Sequence, residues 1–511
     1  MAQAAWSTMA DQPNILLILS DQMVAALTGT YGHPVVRTPN LDRLAANGVR
    51  YDAAYTAFPL CAPGRACLMT GRHASEIGAW DNGALLPADE PTFAHYLARA
   101  GYDTVLSGKM HFIGPDQLHG FRKRLTTDIY SSDFDWVKPE WIHLKESRGT
   151  DFEQVMSNRP AYNAAGYTGD GVRTGAWHDA LSYDEETHFR AIEYLRARNS
   201  GGEDGPFLLC ASYHHPHEPF WPPDAYWKQY EDADIDLPVF PAGLDDHHSM
   251  MDLNLNAYHG TGRYDLRNEE GLYRLRRAYY ALVSYMDDKV GGLLDALDET
   301  GLAENTVVVF ASDHGDMLCE RGMVQKRCFY EWSCRVPLIV RFPDGWRAGT
   351  TFSDPVSLID LLPTFCDLAG VEDRLPHDGQ SLVSAAADDA DRVVFAQAHE
   401  AVGMPCIMAR QGRYKYHYIH GFAPRLFDLD NDPGEWHNLS GEHAEDAHRQ
   451  VEARLLARIL DRFDPDVIAE ENLDSLYRRR LIRDTMSRHG HTWSHEPGFD
   501  HRKGAMKQYL S

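Results

Sequence analysis

Cys61 heads the run Cys61-Ala62-Pro63-Gly64-Arg65, which continues to Leu68-Met69-Thr70-Gly71. An isolated cysteine reads as a buried, inert thiol. The eleven-residue pattern around this one, with Pro63 stiffening the chain, marks it as a candidate nucleophile. Asp21-Gln22 follows the apolar run 14–20 directly, and Asp313-His314 follows the run 306–312. Ligands collect at the ends of strands in open α/β sheets, so these residues are candidates for a binding site; the plainer reading of Asp21 is a helix cap. Lys109 and His111 follow the run 102–106. If the chain stays extended there, residues i and i+2 point the same way and both side chains face one pocket. His214, His215 and His217 form a cluster that invites a zinc reading. Adjacent histidines of an extended chain face opposite ways, however, and no cysteine or further histidine cluster is spaced to complete such a site. Lys326, a loop beyond Asp313, is weak by itself.

The elements that must hold these residues form an alternating series. The continuous apolar run 14–20 suits a strand buried on both faces, as in a parallel sheet covered by helices. Residues 102–106, 207–212 and 306–312 read as further core strands, and 41–48, 92–101 and 275–297 as helices. This order predicts an α/β sandwich over residues 1–375. Two polar, weakly periodic stretches, 122–183 and 222–267, interrupt it and are expected to be lids or binding loops. Strands at 393–397, 406–410 and 414–419, then a helix over 442–462 with the stripe Val451, Leu455, Leu456, Ile459 and Leu460, predict a smaller antiparallel sheet-plus-helix domain over 376–463. The tail 464–511 is mixed in charge and aromatic, and could lie at a subunit interface.

The Cys61 run resembles the maturation signature of formylglycine-dependent sulfatases of the alkaline phosphatase superfamily. The resemblance extends from about residue 12 to 440 and takes in Asp360-Leu-Leu-Pro-Thr, Asp378-Gly-Gln-Ser-Leu and Leu426-Phe-Asp-Leu-Asp. It implies an alkaline-phosphatase-like mixed sheet sandwiched by helices, and conversion of Cys61 to formylglycine by a maturation enzyme. The chemistry follows: of the two hydroxyls on a hydrated aldehyde, one attacks sulfur and the other expels sulfate as the carbonyl reforms. By the same resemblance Asp21, Gln22, Cys61, Asp313 and His314 surround one divalent cation. Gln22 stands where the family often has a second aspartate, and His314 where many members have asparagine. Oxygen ligands favour Ca2+, and the added imidazole leaves Mn2+ open. Arg65 is implied to neutralise the nucleophile and a sulfate oxygen, and Lys109 to hold a sulfate oxygen. His111 is implied as the base on formylglycine, His215 as the donor of a proton to the leaving alkoxide, and Lys326 as a bridge between sulfate and the leaving oxygen.

Residues 59–66, 107–121 and 125–130 are most similar to the choline-sulfatase branch, which makes choline-O-sulfate the lead substrate. A quaternary ammonium needs aromatic faces and a carboxylate. Trp136 and Glu400 match the branch's aromatic wall and cation-facing carboxylate, and His143, Trp141 and His217 are further candidates for the pocket. Another alkyl or aryl sulfate, or a phosphonate monoester or phosphodiester cleaved on the same scaffold, is the alternative. With 49 Lys plus Arg against 75 Asp plus Glu, the formal charge of −26 argues against a nucleic-acid partner. Eight scattered cysteines, and the absence of a long apolar run near the start, predict a soluble, reducing, cytoplasmic protein that binds no membrane. A homo-oligomer is expected from the resemblance and the aromatic tail.

Overall fold

The computed structural model describes residues 12–149, 164–175, 177–199, 205–384, 389, 391–490 and 492–493. Most of the expected N-terminal stretch 1–12, part of the 122–183 segment and the end of the tail lie outside them.

A mixed sheet of eight strands runs in the order β5-β4-β6-β1-β7-β8-β2-β9. Its centre is β1 (Asn14–Asp21), paired in parallel with β6 (Phe207–Pro216) and β7 (Thr306–Ser312). Beyond β6 lie β4 (Asp103–Gly108) and β5 (Lys123–Arg124), both parallel. Beyond β7 come the antiparallel β8 (Leu338–Arg341), then β2 (Val49–Tyr51) and β9 (Thr350–Phe352). A two-stranded ribbon pairs β3 (Ala54–Tyr55) with β10 (Val356–Ser357).

Every residue of β1 is buried, because alternate side chains enter different layers. Ile15, Leu17 and Leu19 pack with α2 (Cys61–Thr70), α3 (Phe93–Arg99) and α7 (Leu361–Leu368). Leu16 and Ile18 pack with α1 (Pro39–Ala46), α5 (Asp179–Asn199) and the 31-residue α6 (Glu269–Glu299). Burying each such Leu or Ile contributes roughly 1.5–3 kcal/mol. The sandwich is thus the expected one, and the apolar run of β1 is continuous because helices cover both faces. Tyr279 of α6 ties the layer to the end of β1: its hydroxyl donates to the Gln22 carbonyl at 2.7 Å and accepts from the Val24 amide at 2.9 Å.

Four strands, β11 (Val394–Ala398), β12 (Cys406–Gln411), β13 (Tyr414–Ile419) and β14 (Arg425–Asp428), form the smaller antiparallel sheet. Val451, Leu455 and Ile459 of α8 (Asp446–Arg462) pack on it, whereas Leu460, expected in that stripe, is half exposed. The tail opens with a helix, α9 (Pro465–His489), started by the Asp464 carboxylate, which accepts from the Asp466 and Val467 amides. This helix packs against α4 (Pro139–Glu146) in the same chain. Among the described residues no helix is long and apolar enough to cross a membrane.

Candidate active site

Because β4, β6, β1 and β7 are parallel, their C-terminal ends open on one edge of the sheet, and the candidate residues issue from there. Cys61 comes to the same place as the first residue of α2. Pro63 lies inside the first helical turn, where the missing amide hydrogen costs no helical bond. Gly64 is there for close approach, since a Cβ would sit 2.6 Å from the Phe58 carbonyl oxygen.

Asp21, Cys61, Asp313 and His314 form one buried cluster whose ligating atoms all lie within 4.8 Å of one another. His314 donates its Nδ1 hydrogen to the Gly315 carbonyl at 2.9 Å, leaving Nε2 as a lone pair 3.1 Å from Cys61 Sγ. Burial keeps this imidazole neutral, with a pKa lowered to about 4. That is the form a metal requires, so the donor set of two carboxylates and a correctly turned imidazole fits a divalent cation. Gln22 borders the cluster, with its amide oxygen held by Lys326 Nζ and its amide nitrogen on Glu218 and Asp316.

Arg65 is fully buried and binds inward. Nε meets Asp313 Oδ2 at 2.7 Å, Nη2 meets Asp21 Oδ2 at 2.9 Å, and Nη1 reaches the Lys109 carbonyl and Ser212 Oγ. It therefore orients the two carboxylates of the cluster beside Cys61. Lys109 Nζ stands 2.5 Å from Asp21 Oδ2 and over the Tyr130 ring, and Asp21 holds it charged. Burial, then the Asp21 charge, pushes the Cys61 thiol up to about 11. An unmodified Cys61 is thus a neutral thiol at ordinary pH, a weak nucleophile.

His111 does reach the site, though not by strand alternation. β4 ends at Gly108, and His111 has φ +57, outside extended geometry. Asp128 holds the turn by accepting the Met110 and His111 amides at 2.9 and 2.7 Å. The His111 ring packs with those of Tyr130 and Trp136, neither ring nitrogen has a hydrogen-bond partner among the described residues, and burial beside Lys109 lowers its pKa to about 3. Gln22, Gln325 and Arg327 also have positive φ, the backbone strain that clusters at functional sites.

The histidines at the end of β6 and just beyond it divide unexpectedly. His215 turns toward Asp184, with Nδ1 2.6 Å from Oδ2, and its ring packs near His178 and Tyr285. His217 instead shares a 2.9 Å hydrogen bond with Lys326 Nζ and lines a cavity of about 240 Å3 beside Cys61. Trp136 and Glu400 line the same cavity. His143 does not: its side chain is 65% exposed and pairs with Glu146. Trp141, two residues earlier on α4, faces the cavity; a separation of two residues turns a helix about 200°, which sends His143 outward. Tyr130, Tyr258, Gln325 and Arg327, which sequence reasoning missed, also line it, as do Asn82, Lys138 and Glu218. Glu400 lies within them as a paired group, with Arg327 Nε and Nη2 at 2.9 and 2.7 Å from Oε1 and the Asn82 amide at 2.8 Å from Oε2.

Comparison with known proteins places this geometry. The sulfatase family profile matches residues 13–371, and that of the N-sulphoglucosamine sulphohydrolase C-terminal region matches 319–462. A choline-sulfatase of Rhizobium meliloti (strain 1021) is 37% identical over 503 residues, covering 95% of this chain and 94% of the relative. An arylsulfatase of Clostridium perfringens (strain 13 / Type A) is 29% identical over 446 residues, covering 84% of this chain and 90% of the relative. The crystal structure of the phosphonate monoester hydrolase of Agrobacterium radiobacter superposes with a TM-score of 0.69 at 25% identity, over 88% of this chain and 95% of that one. With its alkaline-phosphatase-like sheet, and the Asp21, Cys61, Asp313 and His314 cluster at the edge of that sheet, the chain belongs to the sulfatase family and is a sulfuric ester hydrolase.

Proposed function

We propose that the chain hydrolyses a sulfate monoester to an alcohol and inorganic sulfate, with formylglycine made from Cys61 as its nucleophile. The observation that carries this reading is the placement of Cys61 at the start of α2, within the ring of Asp21, Asp313 and His314 and beside two lysines. Formylglycine at position 61 would supply the paired hydroxyls that attack sulfur and later release sulfate. A divalent cation held by Asp21, Asp313, His314 and residue 61, with Gln22 adjoining, would supply charge neutralisation for the sulfuryl oxygens; Ca2+ is favoured and Mn2+ is the alternative.

The chain's own groups do the rest. Arg65 fixes Asp21 and Asp313. Lys109 and Lys326 converge on position 61 as preorganised cations that meet charge growing on the sulfuryl group. His111, with neither ring nitrogen hydrogen-bonded among the described residues, is the base proposed to take a proton from residue 61. The hydrogen-bonded pair Lys326 and His217 supports delivery of a proton to the leaving oxygen, in place of His215.

Choline-O-sulfate is supported by the likeness to choline-sulfatase and by the walls Tyr130, Trp136, Trp141 and Tyr258. Against it stands the pairing of Glu400 with Arg327. The class favoured here is a small sulfate ester whose alcohol lies between aromatic faces. The solved phosphonate monoester hydrolase supports a second reading, cleavage of a phosphonate monoester. The test is sulfate release by matured enzyme, with mass measurement on the Cys61 peptide and a phosphonate ester assayed alongside. The expected result is the formylglycine mass, faster turnover of the sulfate ester, and complete loss of turnover with retained fold in Cys61→Ala. Full activity in that variant would sink the mechanism.

A further inference from the structure

The leaving-group cavity contains a cation of its own. Arg327 follows Lys326 directly, its φ is +83, and its amide donates at 3.0 Å to the carbonyl of Pro59, two residues before Cys61. The turn that presents Lys326 therefore also fixes where the Arg327 side chain starts. That side chain is almost fully buried. Its guanidinium lies against Glu400, with Nε at 2.9 Å and Nη2 at 2.7 Å from Oε1, and Nη1 donates to Gln325 Oε1 at 2.7 Å. It also lies 5.5 Å from the centre of the Tyr258 ring. Recognition of a quaternary ammonium takes an unpaired carboxylate and an aromatic face. In this cavity the guanidinium already occupies Glu400 and lies over the face of Tyr258, while the other lining carboxylate, Glu218, accepts from the side-chain amides of Gln22 and Gln325.

Resting on the sulfatase reading above, we infer that Arg327 sets the alcohol specificity of this enzyme, by filling with its own guanidinium the place a cationic alcohol would take. The favoured substrates are sulfate esters of uncharged alcohols. Where the alcohol carries further hydroxyl groups, these can accept from the guanidinium and donate to the Glu400 carboxylate, and the carbon skeleton can lie against Trp136 and Trp141. An incoming ammonium meets Arg327 as a like charge in a site of restricted water, and like-charge juxtaposition opposes binding. The hydrogen bonds of this guanidinium run to Glu400 and Gln325 and not to Cys61, so its influence is expected to fall mainly on the alcohol.

The test compares two esters of one shape. Choline-O-sulfate and 3,3-dimethylbutyl sulfate differ by a nitrogen cation against a carbon, and 4-nitrophenyl sulfate reports the intact catalytic centre. Wild-type enzyme is expected to show kcat/KM at least about tenfold higher for the dimethylbutyl ester than for the choline ester. Arg327→Met, which frees Glu400, is expected to move that ratio at least about tenfold toward the choline ester. Glu400→Gln, which leaves the guanidinium uncompensated, moves it the other way. A wild-type preference for the choline ester would overturn the inference. So would an unmoved ratio in an Arg327→Met enzyme that still cleaves 4-nitrophenyl sulfate. If Arg327→Met fails to fold, the wild-type ratio and Glu400→Gln decide. Failure of matured wild-type enzyme on all three esters would overturn the hydrolase reading itself, and this inference with it.

Discussion

Replacing Arg479 by methionine tests whether α9 is a working part of the site wall. Arg479 is buried, and its Nη1 and Nη2 meet the two oxygens of Asp81 at 2.6 and 2.8 Å. Asp81 precedes Asn82, whose side-chain oxygen accepts the Ala62 amide at 3.0 Å and whose own amide donates to Glu400. A single fork thus joins α9 to the loop beside Cys61 and to the cavity lined by Glu400. Methionine fills much of the same volume but leaves the Asp81 carboxylate without its charged partner, with the neutral Gly83 amide donating at 2.8 Å. Breaking a buried pair from one side costs about 3–5 kcal/mol, because a charge stays behind without its partner. A chain of 511 residues unfolding as one unit has an entropy of unfolding near 1 kcal/mol/K at about 2.1 cal/mol/K per residue, so the midpoint should fall by about 3–5 °C. Calorimetry on the wild type, Arg479→Met, Asp81→Asn and the double variant closes a cycle. Asp81→Asn retains an oxygen for Gly83 and removes the stranded charge, so the double variant should be more stable than the sum of the single losses by at least about 1 kcal/mol. Strict additivity, or an unchanged midpoint in Arg479→Met, would show that the fork does not hold the wall.

His73 gives the pH dependence its sign. Burial against the edges of Phe395 and Phe463 lowers its pKa from 6.5 to about 4, so the unfolded chain binds the proton more readily than the folded one. Stability from this group is present above pH 6.5 and is lost as pH falls from 6.5 toward 4, by about 3 kcal/mol in all. His73→Phe should therefore shift the acid unfolding midpoint to lower pH, and an unmoved acid limb would refute this. Removal of divalent cations by a chelator should cut turnover by about a thousandfold, the worth of several kcal/mol of charge stabilisation. It should also lower the melting midpoint, since Asp21 and Asp313 would keep only their cationic side chains as counter-charges. Ca2+ should restore both readouts, with Mn2+ as the comparison ion.

The sequence was most legible where one local rule decides the outcome. A strand covered on both faces must be apolar throughout, so the run 14–20 and Thr306–Ser312 announced β1 and β7, and their parallel pairing brings Asp21 and Asp313 to one edge. Side-chain direction was less legible, because it depends on where regular geometry stops. His111 enters the site through a left-handed residue that strand alternation does not describe. His217 and not His215 joins Lys326, because the chain bends after β6, and His143 is carried outward by the phase of α4. Pairing across the chain was least legible. Glu400 taken alone is an acid near aromatic residues, fit for a cation; Arg327 taken alone is one more basic residue after a lysine. Only folding joins them across 73 positions, and the joined pair reverses the meaning of each. A specificity pocket read from single residues therefore inherits the charge of those residues, whereas the substrate meets the charge of the pair.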